Sequence, residues 1–397
     1  MSRRKQFPLG ARVTPEALSR DLYAILAELR EHEPVSWIES LNMWYVTRYE
    51  DVCRVLLDAA GYTTAFDRSP VQDTFGSQML TSEGAQHDRY RRAVQTDFSA
   101  QRVRVSLETT VERLVDALID SLAAAGTAEL RSGFAARLPI QTILRMCGLP
   151  LEAEPRIRVW YDHFESALAN FTAEPAIREA AGTSVAEFHA FLQQSIDATP
   201  SGPGQSLLAR LVRADDAHRL SDDEIKRNLS IIFFGGVSTV EALILNCLWA
   251  LAEHPDVMSE VCRDSSMIGD VVEETIRWRS PVQSATRHAR RAARLHEAEI
   301  LEGEVVNCML GAANRDPTLF PHPDLFQVRR PNVRRHLGFA MGPHACLGLN
   351  LARLEARTAL SGLLARLPAF HIVAHLTDAP AGYEFHQPRR LQASWKL

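Results

Sequence analysis

The stretch from Leu229 to Leu251 is the longest apolar run in the chain, and a fold has to bury it. Its length would cross a bilayer. Glu241, costing about 2.5–3.5 kcal/mol at a bilayer centre, and the internal pair Gly235 and Gly236 favour instead a helix through a protein core. Asp222 and Asp223 lie before it and His254-Pro255 closes it, which are start and stop signals. Each glycine inside a helix costs about 1 kcal/mol relative to alanine, so two in succession need a reason. At about 100° per residue, Gly235 and Gly236 lie about 40° and 60° to either side of Thr239, so one face combines missing side chains with a hydroxyl. That face leaves room for a flat group and a small ligand. The alternative is close helix packing on the glycines, with Thr239 bonded to its own backbone. Glu241, about 200° from Thr239, points to the opposite face.

The second constraint is the loop His336-Leu-Gly-Phe339-Ala-Met-Gly342-Pro-His344-Ala-Cys346-Leu-Gly348, which runs into the periodic apolar segment from Leu349 to Leu367. Glycine and proline punctuate it, and it delivers one cysteine to a helix start. Free N–H groups and the positive end of the helix dipole stabilise a thiolate there, so the Cys346 thiol is expected below its ordinary range, as an anion. No CxxC pair exists in the chain. A single soft thiolate suits one axial bond to a haem iron better than a four-ligand zinc site, while a buried, inert cysteine closing a turn is the bland alternative.

Weaker signals lie between. Tyr62 to Glu83 is irregular yet carries Phe66, Phe75, Met79 and Leu80, which either pin a long loop to the core or line a pocket. His87 and Arg91, four apart, share a helix face that could grip a carboxylate or simply be solvated. Trp160, Tyr161, Phe164, Leu168 and Phe171 form a helical stripe, a pattern more often core than pocket. Glu274 and Arg277 are three apart, by themselves a surface pair. The composition is ordinary for a globular chain, 46% hydrophobic and 23% charged, and the net charge of -5 provides no basic field for nucleic acid. The polar start Met1-Ser-Arg-Arg-Lys predicts neither a secretory leader nor a membrane anchor, and six scattered cysteines read as reduced thiols of a cytoplasmic protein.

Phe339, Gly342, His344, Cys346 and Gly348 resemble the haem-binding loop of the cytochromes P-450. Gly235, Gly236 and Thr239 resemble that family's oxygen-activation motif, Glu274 and Arg277 its Glu-x-x-Arg, and His87 and Arg91 its His-x-x-x-Arg. These landmarks keep the family's order from Glu83 to the tail. The resemblance implies a mainly α (α+β) cytochrome P-450 fold, with a large helical part, a smaller β-rich part, and haem b between the helix at 229–251 and the Cys346 loop. It implies one domain over 1–397 with no fused reductase. The activity implied is a haem-thiolate monooxygenase that inserts one oxygen atom of O2 into a small organic substrate.

The same resemblance supplies roles. Cys346 would be the axial ligand; His87, Arg91, Arg287 and His344 would hold the propionates; Gly235, Phe339 and Gly348 would contact the haem. Thr239 and Ser238 would handle protons. Phe66, Phe75, Met79, Leu80, Ile231, Phe234, Gln283 and Ser284 would line the substrate pocket, and Arg330 would join Glu274 and Arg277 in a structural brace. Arg92, Arg334, Arg335, Arg353 and Arg357 would dock an acidic ferredoxin or flavodoxin, supplied by its reductase.

Two positions depart from the pattern. Ala340 stands where many members have glycine, at little expense if its backbone is not left-handed. Ser238 stands where the family has an acid, which points to proton delivery through Ser238 and water, or to altered oxygen chemistry such as peroxide-driven oxidation or oxidative coupling. A non-enzymatic haem sensor is the third reading; Thr239 and the pocket-lining segments count against it.

Overall fold

The computed structural model describes residues 3–66, 69–168, 174–199, 204–215, 219–367 and 369–397. Phe171 of the aromatic stripe lies outside them.

The helices that frame the buried apolar run are α1 (Pro15–His32), α2 (Gly84–Gln95), α3 (Ala100–Ala123), α4 (Arg137–Cys147), α5 (Glu154–Leu168), α6 (Pro175–Asp197), α7 (Asp222–Glu253), α8 (Ile268–Trp278) and α9 (Leu349–Arg366). Helix α7 contains the run itself and begins at Asp222, well ahead of it. Ser221 caps it: its hydroxyl accepts from the Glu224 N–H while the Glu224 carboxylate accepts from the Ser221 N–H. Asp222, Asp223 and Glu224 therefore sit in the first turn, at the positive end of the dipole, and not ahead of the helix as expected. The most apolar window of α7 is 83% buried. α4, α8 and α9 pack directly on it, and α3 packs on α4 and α9.

The β-rich part is a five-stranded sheet of β1 (Val35–Ile38), β2 (Met43–Val46), β3 (Tyr62–Thr63), β4 (Ser284–Ala289) and β5 (Val305–Met309), in the order β1-β2-β5-β4-β3. Only β2 and β5 run parallel, with Trp44 opposite Val306. Side chains alternate across the sheet: Trp44, Val46, Val306 and Cys308 join a cluster with Val52, Val55 and Tyr62, whereas Tyr45 and Met309 join Leu18, Leu22 and Leu26 of α1. A smaller antiparallel sheet pairs Gln392–Ser394 with both Thr127–Glu129 and His371–Ile372. The architecture is mainly helical with a smaller β part, as expected from the sequence.

Candidate active site

The two glycines of α7 divide the two readings between them. A Cβ on Gly236 would come 2.7 Å from Ile143 Cδ1 of α4, so this glycine permits helix packing. A Cβ on Gly235 would meet nothing within 4 Å, and this residue is exposed in the middle of an otherwise buried helix. An open gap therefore borders α7 at Gly235. Thr239 is half-buried beside it and donates its hydroxyl to the Gly235 carbonyl at 2.7 Å. Glu241 is buried away from this side, paired with Arg131 at 2.5 Å and Arg158 at 3.2 Å.

Helix α9 packs on α7, and the loop entering it carries Cys346. Gly348 is the N-cap, and the backbone N–H groups of Gly348 and Leu349 favour the anionic form of the sulfur. The Cys346 N–H donates to the Phe339 carbonyl at 2.9 Å. Gly342 adopts φ +77°, and a Cβ there would fall 2.5 Å from the Leu56 carbonyl oxygen, so no larger residue fits. The loop is braced from behind: His336 Nε2 lies 3.1 Å from Glu273, Arg353 Nη2 donates to Glu273 at 2.9 Å, and the Arg353 guanidinium lies 4.5 Å over the Phe339 ring. Burial by itself would raise the Glu273 carboxyl, but the Arg353 and His336 hydrogen bonds and charges hold it at about 2.

Two expectations about this loop are corrected. Burial pushes the Cys346 thiol up, and the opposing amides, Arg91 and Arg353 do not reverse the direction, so the expected lowering by the helix start is outweighed in the protein alone. Ala340 has φ +52°, which is left-handed. An L-residue there costs about 1–2 kcal/mol, against about 0.5–1 kcal/mol for the extra chain entropy of glycine. Ala340→Gly is accordingly expected to stabilise the protein by about 0.5–1 kcal/mol, read as a higher denaturant midpoint; a lower midpoint would contradict it.

Basic groups gather on the same side. Arg91 is close enough to Cys346 for their charges to interact, and its half-buried guanidinium makes no hydrogen bond among the described residues. Arg287, 6% exposed, donates among the described residues only to the carbonyl of its neighbour Thr286, at 2.9 Å. Burial pushes both guanidiniums below their ordinary range. Two cations without an ion pair among the described residues, a cysteine at a helix start and an open glycine face fit a flat, iron-bearing group with two carboxylate arms. Among the described residues no group of three or more His, Cys, Asp or Glu could hold a bare metal ion.

The two histidines are differently placed. The His87 ring lies 4.5 Å from that of His344, with Nδ1 3.2 Å from Asp88, and burial lowers its pKa. His344 Nε2 is already engaged, 3.2 Å from Glu83 and 3.1 Å from the Thr64 hydroxyl. Despite burial, the His344 bond and the Thr64 N–H hold the Glu83 carboxyl at about 2. No sequence signal marks Glu83 as the acid facing His344, because only the folded chain brings residues so distant together.

The expected pocket residues separate into two groups. Phe75 lies 5.8 Å from Phe234 and 5.1 Å from Phe164, and Phe234 lies 6.3 Å from Phe385 of the tail, so an aromatic cluster stands at Gly235. Ile231 and Met79 belong to the same hydrophobic core. The others do not. Phe66 stacks on His288 at 3.8 Å, and Leu80 is solvent-exposed. Gln283 is wholly buried and donates to Tyr23 and the Ser280 carbonyl, because its backbone is clamped between Gly311 and Glu384. Ser284 donates to Glu384, a carboxyl that burial pushes up and that also accepts from Asn307 at 3.2 Å.

Glu274, Arg277 and Arg330 meet in the core, all three buried. Arg277 donates twice to Glu274, at 2.8 and 2.7 Å, and Arg330 Nε lies 3.3 Å from both carboxylate oxygens. Arg277 also binds the carbonyls of Asn314, Pro323 and Leu325, and Glu274 accepts from the Gln327 N–H. The brace thus anchors the chain that leads into the Cys346 loop.

A family model described as Cytochrome P450 matches residues 161–371. Cytochrome P450 107B1 of Saccharopolyspora erythraea is 33% identical over 382 residues, covering 91% of this chain and 92% of that protein. Cytochrome P450 monooxygenase PikC of Streptomyces venezuelae is 34% identical over 362 residues, covering 88% and 84%. The crystal structure of P450BioI in complex with an acyl carrier protein ligated to hexadec-9Z-enoic acid has a TM-score of 0.88 at 26% identity, over 96% of this chain and 100% of that one.

Proposed function

The chain belongs to the cytochrome P450 family, and from that premise we propose that Cys346 is its haem ligand and that substrate and dioxygen meet in the gap beside Gly235 and Thr239. The protein is a cytochrome P450 monooxygenase, an oxidoreductase with haem on a cysteine thiolate and O2 as co-substrate. When bound, haem supplies the one-electron chemistry that splits dioxygen and places one oxygen atom in the substrate.

The chain's residues divide the remaining work. Cys346 would hold the iron and donate charge to it, with the Gly348 and Leu349 amides favouring the anionic sulfur. Arg91 and Arg287 would neutralise the two propionates, which would offset the penalty of their own burial. His87 and His344 border that anchor, with Glu83 orienting His344. The Thr239 hydroxyl, parked on the Gly235 carbonyl, holds a proton at the gap. Phe75, Phe234, Phe385, Ile231 and Met79 exclude water and favour a largely apolar organic substrate.

Electrons come one at a time from a separate ferredoxin or flavodoxin in the cytoplasm, and residues 1–397 act as one catalytic domain. Arg92, Arg334, Arg335 and Arg357 reach the surface and can meet an acidic partner, whereas Arg353 is committed to Glu273 and Phe339. A second reading, altered oxygen chemistry at the acid position, is favoured by one observation: the Ser238 hydroxyl is buried against Tyr161. Counting reducing equivalents against oxygenated product separates the two.

The observation carrying the main proposal is the cysteine at the start of α9 beside Arg91, while Arg91 and Arg287 form no ion pair among the described residues. The reduced protein with carbon monoxide is expected to show a thiolate-type Soret band, which Cys346→His loses. Persistence of the band in that variant would sink the assignment.

A further inference from the structure

One side chain from α5 holds the oxygen-side turn of α7. The Tyr161 phenol donates to Ser238 Oγ at 2.6 Å. The same oxygen lies 3.3 Å from the Phe234 carbonyl, as a second acceptor of its proton, and accepts from the Ser238 N–H at 3.3 Å. Phe234 C=O and Ser238 N–H are the two ends of one i→i−4 helical hydrogen bond. A hydroxyl bonded to both ends adds a side-chain tie across that turn, through which α7 runs as a continuous helix. One residue further on, the Gly235 carbonyl takes the Thr239 hydroxyl. Consecutive carbonyls of a single turn are thus each bonded by a hydroxyl, and only the second hydroxyl borders the gap.

The phenol itself is fixed. Tyr161 is 2% exposed, and its ring stacks on Phe234 at 5.8 Å with 14° between planes. One turn along α7, Glu241 pairs with Arg158 of α5 and with Arg131, so α5 is tied to α7 at two successive levels. Burial pushes the Tyr161 phenol up, which keeps it a proton donor at neutral pH.

We propose that Tyr161 is a positioning residue for oxygen activation: by gripping Phe234 O, Ser238 N–H and Ser238 Oγ together, it holds the turn of α7 that presents Thr239 to the gap. The proposal rests on Thr239 acting at the reaction gap. It assigns to a phenol on a neighbouring helix the hydrogen-bonding demand at a position where the family carries an acid.

Two measurements on the holoprotein test it. In hydrogen–deuterium exchange, Tyr161→Phe is expected to speed exchange over 230–242 by about tenfold, the worth of one lost hydrogen bond, without changing α8. Ser238→Ala keeps the phenol's backbone bonds and is expected within about threefold of the parent. In the infrared, the stretching band of carbon monoxide bound to the reduced protein reports the surroundings of Thr239, and Tyr161→Phe is expected to broaden or split it. Unchanged exchange overturns the proposal. So does faster exchange with an unchanged carbon monoxide band, which would make Tyr161 a packing residue only. The two failures are distinguishable: a parent protein without a thiolate-type Soret band sinks the reading of Cys346, whereas a normal parent band with an unaltered Tyr161→Phe sinks only the role of Tyr161.

Discussion

Glu274→Ala is expected to destabilise the protein by about 3–5 kcal/mol, because it leaves the Arg277 and Arg330 guanidiniums buried with no counter-charge. Both cations are almost entirely out of water, and their remaining partners are neutral peptide carbonyls. The loss falls on more than a pair: Glu274 also accepts the Gln327 N–H, so the segment from Asn314 to Gln327 loses its anchor just ahead of the Cys346 loop. Set against a typical total stability of about 5–15 kcal/mol, most of the chain's margin goes. Denaturant unfolding of the purified variant, or its failure to accumulate as folded protein, measures the effect. A variant within about 1 kcal/mol of the parent would mean that the brace is no more than a surface-grade ion pair. Glu274→Gln, which keeps the shape and loses the charge, is expected to be nearly as damaging.

Gly235→Leu should separate stability from function in opposite directions. Replacing a mid-helix glycine with leucine is worth about 0.8–1 kcal/mol in helix propensity, and a Cβ at Gly235 meets no neighbour within 4 Å. The folded chain is therefore expected to be at least as stable as the parent. The same side chain extends into the gap beside Thr239, where it displaces whatever lies against the helix. Turnover is expected to fall by at least about a hundredfold, since reacting groups displaced by about 1 Å already lose that much. Denaturation and turnover measured on one preparation check both halves. Retained turnover would show that the gap at Gly235 is not the reaction site. The equivalent change at Gly236 should do the reverse, since there a side chain collides with Ile143.

The contrast between those neighbouring glycines shows how far the sequence could be read. Helical periodicity placed Gly235, Gly236 and Thr239 on one face, yet it could not distinguish the glycine that admits α4 from the one that borders open space. Similarly, the three-residue spacing of Glu274 and Arg277 was visible, but burial turned a pair worth tenths of a kcal/mol into a brace. Gln283 and Ser284 spend their polar groups on Tyr23, Ser280 and Glu384, because β4 is registered against β5 and the tail carbonyl of Glu384 clamps the Gln283 amide. No local pattern encodes that register. Ala340 misled for a related reason: the hand of its backbone is imposed by the loop closing over Leu337 and Cys346, not by the residue's own preference.

By itself, the sequence determined what is local and strongly patterned. It specified an apolar helix that must be buried, a lone cysteine delivered to a helix start, and carboxylate and guanidinium at one-turn spacing. Each of these depends on neighbours within a turn or on the properties of one loop. Tertiary structure decided what those elements face. It set the raised thiol of Cys346 through burial, left Arg91 and Arg287 without an ion pair among the described residues, aimed His344 at Glu83, and placed the Tyr161 phenol on Ser238 across 77 residues. The physical reason is that desolvation and hydrogen-bond partnership belong to contacts between distant segments, and periodicity within one element carries no record of the neighbour that will cover it.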